Sequence, residues 1–177
     1  PCNLEYNLQK ITAYLKGDQE IDMGELSWFL IYLSDTLSNT QRQLSAITPN
    51  NIYGLITLGP QDTVIDAVQK QELDNKTLDL IFYLLDNLKN IPITEFKFYK
   101  EQKQHYDALE TQLLEIISKT TSALNEENQQ RLTALIEKFL FITEASYLKI
   151  ESLGHVAIEP LSKIYNTTSD VTKKVKA

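Results

Sequence analysis

Glycine and proline are scarce in this chain, and cysteine is almost missing. The 177 residues include five glycines, five prolines and one cysteine, and the glycine and proline content is about half of average usage. Because turns between short strands depend on these two residues, their scarcity favours a helical protein. The lone Cys2 excludes an internal disulfide framework and any zinc site made of several cysteines.

Motifs for catalysis and nucleotide binding are also missing. The chain has no Gly-rich phosphate loop, G-x-S-x-G elbow, H-E-x-x-H pair or EF-hand loop. Its two histidines each follow a glutamate by four residues, in the pairs Glu101/His105 and Glu151/His155. Di-iron bundles use Glu-x-x-His with further glutamates, so we interpret these pairs as surface contacts. We expect a protein that is not an enzyme, with no catalytic residue, metal site or cofactor.

Positive charge is in short supply. Lys and Arg total 17 against 24 Asp and Glu, for a net charge of −7, and this balance disfavours a nucleic-acid-binding protein. Residues 1–92 hold 12 acids and 6 bases, whereas residues 93–177 hold 12 acids and 11 bases. Arginine, the usual bidentate phosphate ligand, occurs twice. We therefore expect no nucleic-acid partner.

Long hydrophobic runs are absent as well. The longest apolar runs are Trp28–Leu33 and Leu80–Leu85, six residues each, against about 18 for a membrane span. Three accounts of the N-terminus stay open: loss of an initiating Met, excision from a longer chain, or lipidation of Cys2. Lipoprotein signals place a small residue before the cysteine, and Pro1 does not fit. We expect a soluble chain, cytosolic or secreted into a host cell, in preference to a lipoprotein.

Apolar residues recur at helical spacing along most of the chain, which predicts an all-α bundle of about six to seven helices. The run Leu80–Leu85 would by itself also fit a buried strand, but the 3.6-residue spacing on both sides favours a helix. We expect one domain over 1–165 and a frayed, slightly basic tail over 166–177. The predicted helices cover about 4–16, 23–47, 76–90, 94–124, 125–153 and 160–165, with short helices near 50–56 and 61–71.

Two of these predictions concern packing. Leucines at 26, 30, 33 and 37 follow heptad spacing, and further apolar residues, Trp28, Phe29, Ile31 and Tyr32, occupy the other faces of the same helix. A helix that is apolar nearly all round is predicted to be central and buried. The segment 93–153 has neither glycine nor proline, and its two heptad-patterned helices are predicted to form a long antiparallel hairpin over about 95–153.

One charged cluster is a candidate binding site. Lys97, Lys100 and Lys103 are three residues apart, so on a helix that begins at Thr94 they would share one face. Apolar residues adjoin them in sequence: Ile93, Phe96 and Phe98. Basic side chains beside exposed apolar ones bind anionic lipid headgroups or an acidic protein surface.

The sequence leaves three functional hypotheses. Its long amphipathic helices, rich in Leu, Ile, Asn, Lys and Gln, are similar in composition to those of bacterial effectors, surface proteins and sensor bundles. The first hypothesis is a non-enzymatic helical module that binds a protein partner, as a domain of such an effector or surface protein. The second is a peripheral module for anionic, phosphoinositide-like lipids. The third is an extracytoplasmic sensor bundle with a small-molecule pocket between its helices.

Overall fold

A computed structural model describes residues 4–46, 73–119, 124–140 and 145–169 of the chain. Within these ranges the structure contains α-helices and short 3-10 helices and no strand, so the all-α prediction is confirmed. No helix in these ranges is long and apolar enough to cross a membrane. The predicted helices near 50–56 and 61–71 and the end of the predicted tail lie outside the described residues. The α-helices are α1 (Leu4–Lys16), α2 (Met23–Ala46), α3 (Asn75–Asn87), α4 (Tyr99–Ser118), α5 (Glu126–Leu140), α6 (Ala145–Leu153) and α7 (Ile158–Thr167).

Side-chain caps fix where three of the helices begin. The side chains of Asp22, Asp74 and Asn125 each accept a hydrogen bond from the backbone N–H three residues later, at 2.8–2.9 Å. Each bond satisfies one of the amides that the first helical turn leaves without a partner. At the other end of α1, Gly17 takes a positive φ of 76°, the left-handed conformation that ends helices at glycine.

The core is a single cluster of aliphatic side chains with few aromatics. The heptad leucines of α2, namely Leu26, Leu30, Leu33 and Leu37, are completely buried, as their spacing predicts. They pack in one cluster with buried residues that extend along the chain from Leu4 to Ile164. The seam of α2 therefore forms part of the common core.

Polar contacts show that α2 and α4 run parallel to each other. Ser27 on α2 hydrogen-bonds to Tyr106 and Gln102, and Ser34, two turns later, hydrogen-bonds to Gln112. Residue numbers therefore rise in the same direction along both helices. The same holds for α3 and α5, where Asn128 contacts Asn75 and Arg131 contacts Asp79.

The predicted hairpin over 95–153 is not confirmed. Instead, α4 packs chiefly against α2 and α6, while α5 packs against α3, α6 and α7. The apolar stripe of α4 is thus buried by a helix that lies far back in the chain. Heptad spacing specifies that a stripe must be buried, but it does not specify by which helix.

The start of α4 also differs from the prediction. Ile93–Glu95 forms a 3-10 helix, Phe96 is extended with ψ 135°, and α4 begins at Tyr99. The side chain of Phe96 is 4% exposed and meets the Tyr106 ring edge-on at 5.4 Å between centroids. The sequence predicted a continuous helix from Thr94. In the structure that helix is interrupted at Phe96, where the ring is buried in the core.

Candidate interaction surface

The lysine cluster predicted as a binding site does not form a single helix face. Lys97 precedes α4, so only Lys100 and Lys103 lie on that helix. Lys103 forms an ion pair with Asp107, and the hydrogen bond in this pair raises the pKa of Lys103. Because the helix begins at Tyr99, the three lysines do not lie on one helix.

The apolar residues of the same cluster are divided between core and surface. Phe96 is buried and Ile93 is half-buried against the core, whereas Phe98 is 49% exposed. The ammonium of Lys97 lies 5.3 Å from the centre of the Phe98 ring. An exposed apolar and basic patch thus retains Lys97, Phe98 and Lys100, flanked by the exposed acids Glu95 and Glu101.

The outward face of α2 is exposed, and here the sequence prediction is wrong. Trp28 is 52% exposed and Tyr32 is 41% exposed, although α2 was predicted to be buried nearly all round. Among the described helices, α2 packs chiefly against α4 and α1. These neighbours and the core cover part of its circumference, and the side that carries Trp28 and Tyr32 stays open.

These aromatic residues belong to a regular surface line, which we call the α2 stripe. It consists of Glu25, Trp28, Tyr32, Asp35 and Asn39, all exposed. The steps of three and four residues keep the stripe on one helix face. The rings of Trp28 and Tyr32 stack, with 5.9 Å between centroids and 27° between planes. The stripe is therefore an aromatic centre between two carboxylates, with an amide at its far end.

The surroundings of the α2 stripe are acidic. Residues 17–41 contain five acids and no Lys, Arg or His. Within the described part of the chain, neither Glu25 nor Asp35 has a side-chain ion pair. The carboxylates at the two ends of the aromatic pair are thus exposed and have no basic side chain against them among the described residues.

Polar and aromatic contacts hold the backbone beneath the stripe in place. Toward α4, Ser27 Oγ lies 2.8 Å from the Tyr106 hydroxyl oxygen, and Gln112 Nε2 donates to Ser38 Oγ at 2.8 Å. Burial raises the pKa of the Tyr106 phenol, although its hydrogen bond with Ser27 opposes the shift. Toward α1, Tyr6 meets the Phe29 ring edge-on with 6.1 Å between centroids. The stripe therefore lies on a helix that is fixed on two sides.

A cleft between α1, α3 and α5 has a volume of about 450 Å³. Both of its basic side chains already have partners. Arg131 pairs with Asp79 at 3.2 Å and with Glu127, and the Lys16 ammonium lies 4.8 Å from the centre of the Tyr83 ring. A small ligand would have to displace these contacts, which disfavours the sensor hypothesis at this cleft. In the ranges that the structure covers, no three His, Cys, Asp or Glu side chains are grouped so as to hold a metal ion.

Geometry alone assigns the class of this protein, an all-α helical bundle. No protein-family model matches the chain, and comparisons with curated proteins and with solved structures give no match.

The α2 stripe was not predicted from the sequence, because Trp28 and Tyr32 lie on a helix that is apolar nearly all round and were expected to be buried. One feature of the sequence could have revealed it. The acids Glu25 and Asp35 continue the same three-and-four spacing on both sides of the aromatic pair. Charged residues are rarely buried without a partner, so an aromatic pair with a carboxylate on each side at helical spacing indicates a helix face that is open to solvent.

Proposed function

We propose that this chain is a non-enzymatic helical module that binds a protein partner through the α2 stripe. The observation that carries the proposal is the stacked, half-exposed pair of Trp28 and Tyr32 on a helix fixed from behind. Tryptophan and tyrosine are the residues most enriched among those that dominate binding energy at protein interfaces. A fully covered aromatic side chain buries roughly 150–250 Å², and Trp28 and Tyr32 still expose 52% and 41% of their surface to a partner.

Rigidity of the stripe adds to this argument. Side chains that are already stacked lose little rotamer freedom on binding, and this loss is one of the main costs of association. The contacts of Tyr106 with Ser27 and of Tyr6 with Phe29 hold the helix itself. A partner would therefore meet a surface that needs little rearrangement.

Quantitative affinity capture from extracts of the source organism tests the proposal. The double variant Trp28→Ala/Tyr32→Ala should lose a specific partner that the wild type enriches, while circular dichroism shows the same helicity. The matched control is Tyr147→Ala/Tyr165→Ala, because these tyrosines are 46% and 52% exposed but lie on α6 and α7.

The control variant should retain the partner at wild-type level. Equal capture by the wild type and by the Trp28/Tyr32 variant would contradict the proposal, since binding would then use another surface. Loss in both double variants would show a general effect of removing exposed aromatic residues and would also count against the α2 stripe.

A further inference from the structure

We infer that the partner presents a basic, arginine-bearing helix to the α2 stripe. This inference rests on the proposed function and adds the chemistry of the partner. It follows from three properties of the stripe: its helical spacing, its charge and the type of aromatic residue at its centre.

The spacing of the stripe favours a helix as the occupant. Positions 25, 28, 32, 35 and 39 follow the alternating three-and-four pattern with which one helix meets another along a seam. The two carboxylates are ten residues apart, which corresponds to about 15 Å along the axis. A helix lying alongside would place apolar residues over Trp28 and Tyr32 and one cation near each carboxylate.

The charge of the stripe favours a basic occupant. Glu25 and Asp35 have no side-chain ion pair among the described residues, and the flanking residues 17–41 carry no base. Complementary charge across an interface speeds association and rejects partners of the wrong sign. Nucleic acids and anionic membranes have the same sign of charge as the stripe and are repelled by it.

A second copy of this chain does not fit the stripe. In an antiparallel two-fold pairing, Glu25 would lie opposite the Asp35 of the other copy, and the same contact would recur at the other end. In a parallel pairing, each acid would face its own equivalent. Both arrangements place like charges together without a compensating base, so the occupant is a different chain.

The aromatic centre favours arginine over lysine among the basic residues. A guanidinium group stacks on aromatic faces and also binds carboxylates through two parallel hydrogen bonds. At the α2 stripe an arginine has both partners within one helical turn, because Glu25 is three residues before Trp28 and Asp35 is three residues after Tyr32.

The intrinsic fluorescence of Trp28 gives a direct assay, because it is the sole tryptophan of the chain. The probe is a synthetic amphipathic helical peptide with a leucine seam flanked by arginines. Its matched control carries glutamate at every arginine position and keeps the leucines. The arginine peptide should shift Trp28 emission to shorter wavelength and bind at least about tenfold more tightly than the glutamate peptide, with an affinity that falls as salt rises.

Charge-reversed variants separate the stripe from the general acidity of the chain. Glu25→Lys/Asp35→Lys should reverse the preference, so that the glutamate peptide becomes the tighter ligand. The control Asp18→Lys/Glu20→Lys changes the net charge by the same amount at exposed positions outside the stripe and should keep the preference for arginine. Circular dichroism verifies that each variant is folded.

Several outcomes would overturn the inference. If the two charge-reversed variants behave alike, the peptide is attracted by overall charge and not by the stripe. If the natural partner is lost by Trp28→Ala/Tyr32→Ala but retained by Glu25→Lys/Asp35→Lys, the proposed function stands and the basic helix is wrong. If acrylamide cannot quench Trp28 in the isolated chain, or if its emission changes with protein concentration, the chain itself or a second copy covers the stripe, and both proposals fail.

Discussion

The replacements Ser27→Ala and Tyr106→Phe, made singly and together, test how many hydrogen bonds form in the polar contact between α2 and α4. Three oxygen atoms approach one another there: Tyr106 OH to Gln102 Oε1 at 2.7 Å, Ser27 Oγ to Tyr106 OH at 2.8 Å, and Ser27 Oγ to Gln102 Oε1 at 3.1 Å. The amide oxygen has no proton to donate, and each hydroxyl has one. Two protons can form only two of the three hydrogen bonds at full strength.

This proton count fixes the expected energies. Each single replacement removes one hydroxyl proton, and the remaining hydroxyl still donates to Gln102 Oε1. Each single variant should therefore lose one hydrogen bond, about 0.5–1.5 kcal/mol of unfolding free energy. The double variant should lose about twice as much, so that the coupling energy of the cycle stays within about 0.5 kcal/mol of zero.

Three independent hydrogen bonds would give a different result. Each single replacement would then remove two bonds and the double replacement three, so the double variant would lose less than the sum of the singles by about one bond, roughly 1 kcal/mol. Urea unfolding followed by circular dichroism measures these values, provided that the slope of free energy against urea is the same for all four proteins. A coupling energy near 1 kcal/mol would refute the two-proton description.

Further predictions concern the helix cap, the core, the phenol of Tyr106 and lipid vesicles. The hydrogen bond from the Thr77 backbone N–H lowers the pKa of Asp74, so the stabilisation by ionised Asp74 is present above its unfolded-state pKa and is lost as the pH falls below about 4. Asp74→Ala should therefore cost about 0.5–2 kcal/mol of unfolding free energy at neutral pH. Asp74→Asn should keep the cap without that acid dependence. Leu30→Ala and Leu113→Ala each empty a completely buried site and should cost about 2–5 kcal/mol in urea unfolding, so a loss below 1 kcal/mol would contradict the packing. Burial raises the pKa of Tyr106. The contribution of its neutral phenol to stability is therefore present below the unfolded-state pKa of about 10 and is lost as the pH rises through the folded-state pKa. Tyr106→Phe should remove this loss of stability at alkaline pH. Vesicles of phosphatidylserine at physiological salt should not sediment the protein, and sedimentation abolished by replacing Lys97 and Lys100 with Gln would instead support the lipid hypothesis.

Local patterns in the sequence predicted the helices well. The boundaries of α1 agree with the prediction, and the starts of three further helices are set by local side-chain caps at Asp22, Asp74 and Asn125. These features depend on residues within a few positions of one another, and a short stretch of sequence contains all the information for them. The run Leu80–Leu85 lies within α3, as the helical spacing around it indicates.

Long-range features were predicted less well, for a physical reason. The periodicity of α4 shows that one face must be buried, but α2 and α5 both offer leucine-rich faces, and the choice depends on packing between distant segments. The exposure of Trp28 could not be derived from its hydrophobicity either, since much of a folded protein's surface is apolar. The candidate site followed only when the open side of α2 was known.

The parallel packing of α2 against α4 has a consequence for synthesis of the chain. Ser27 and Tyr106 are 79 positions apart, and Ser34 and Gln112 are 78 apart. At a translation rate of about 5–20 residues per second, α2 emerges from the ribosome several seconds before the helix that covers one of its sides. During this interval α2 lacks the helix that buries part of its leucine surface, and among the described helices its main neighbour already made is α1. Newly made chains of this protein are therefore expected to need protection by chaperones until α4 is made, since exposed apolar surface promotes aggregation.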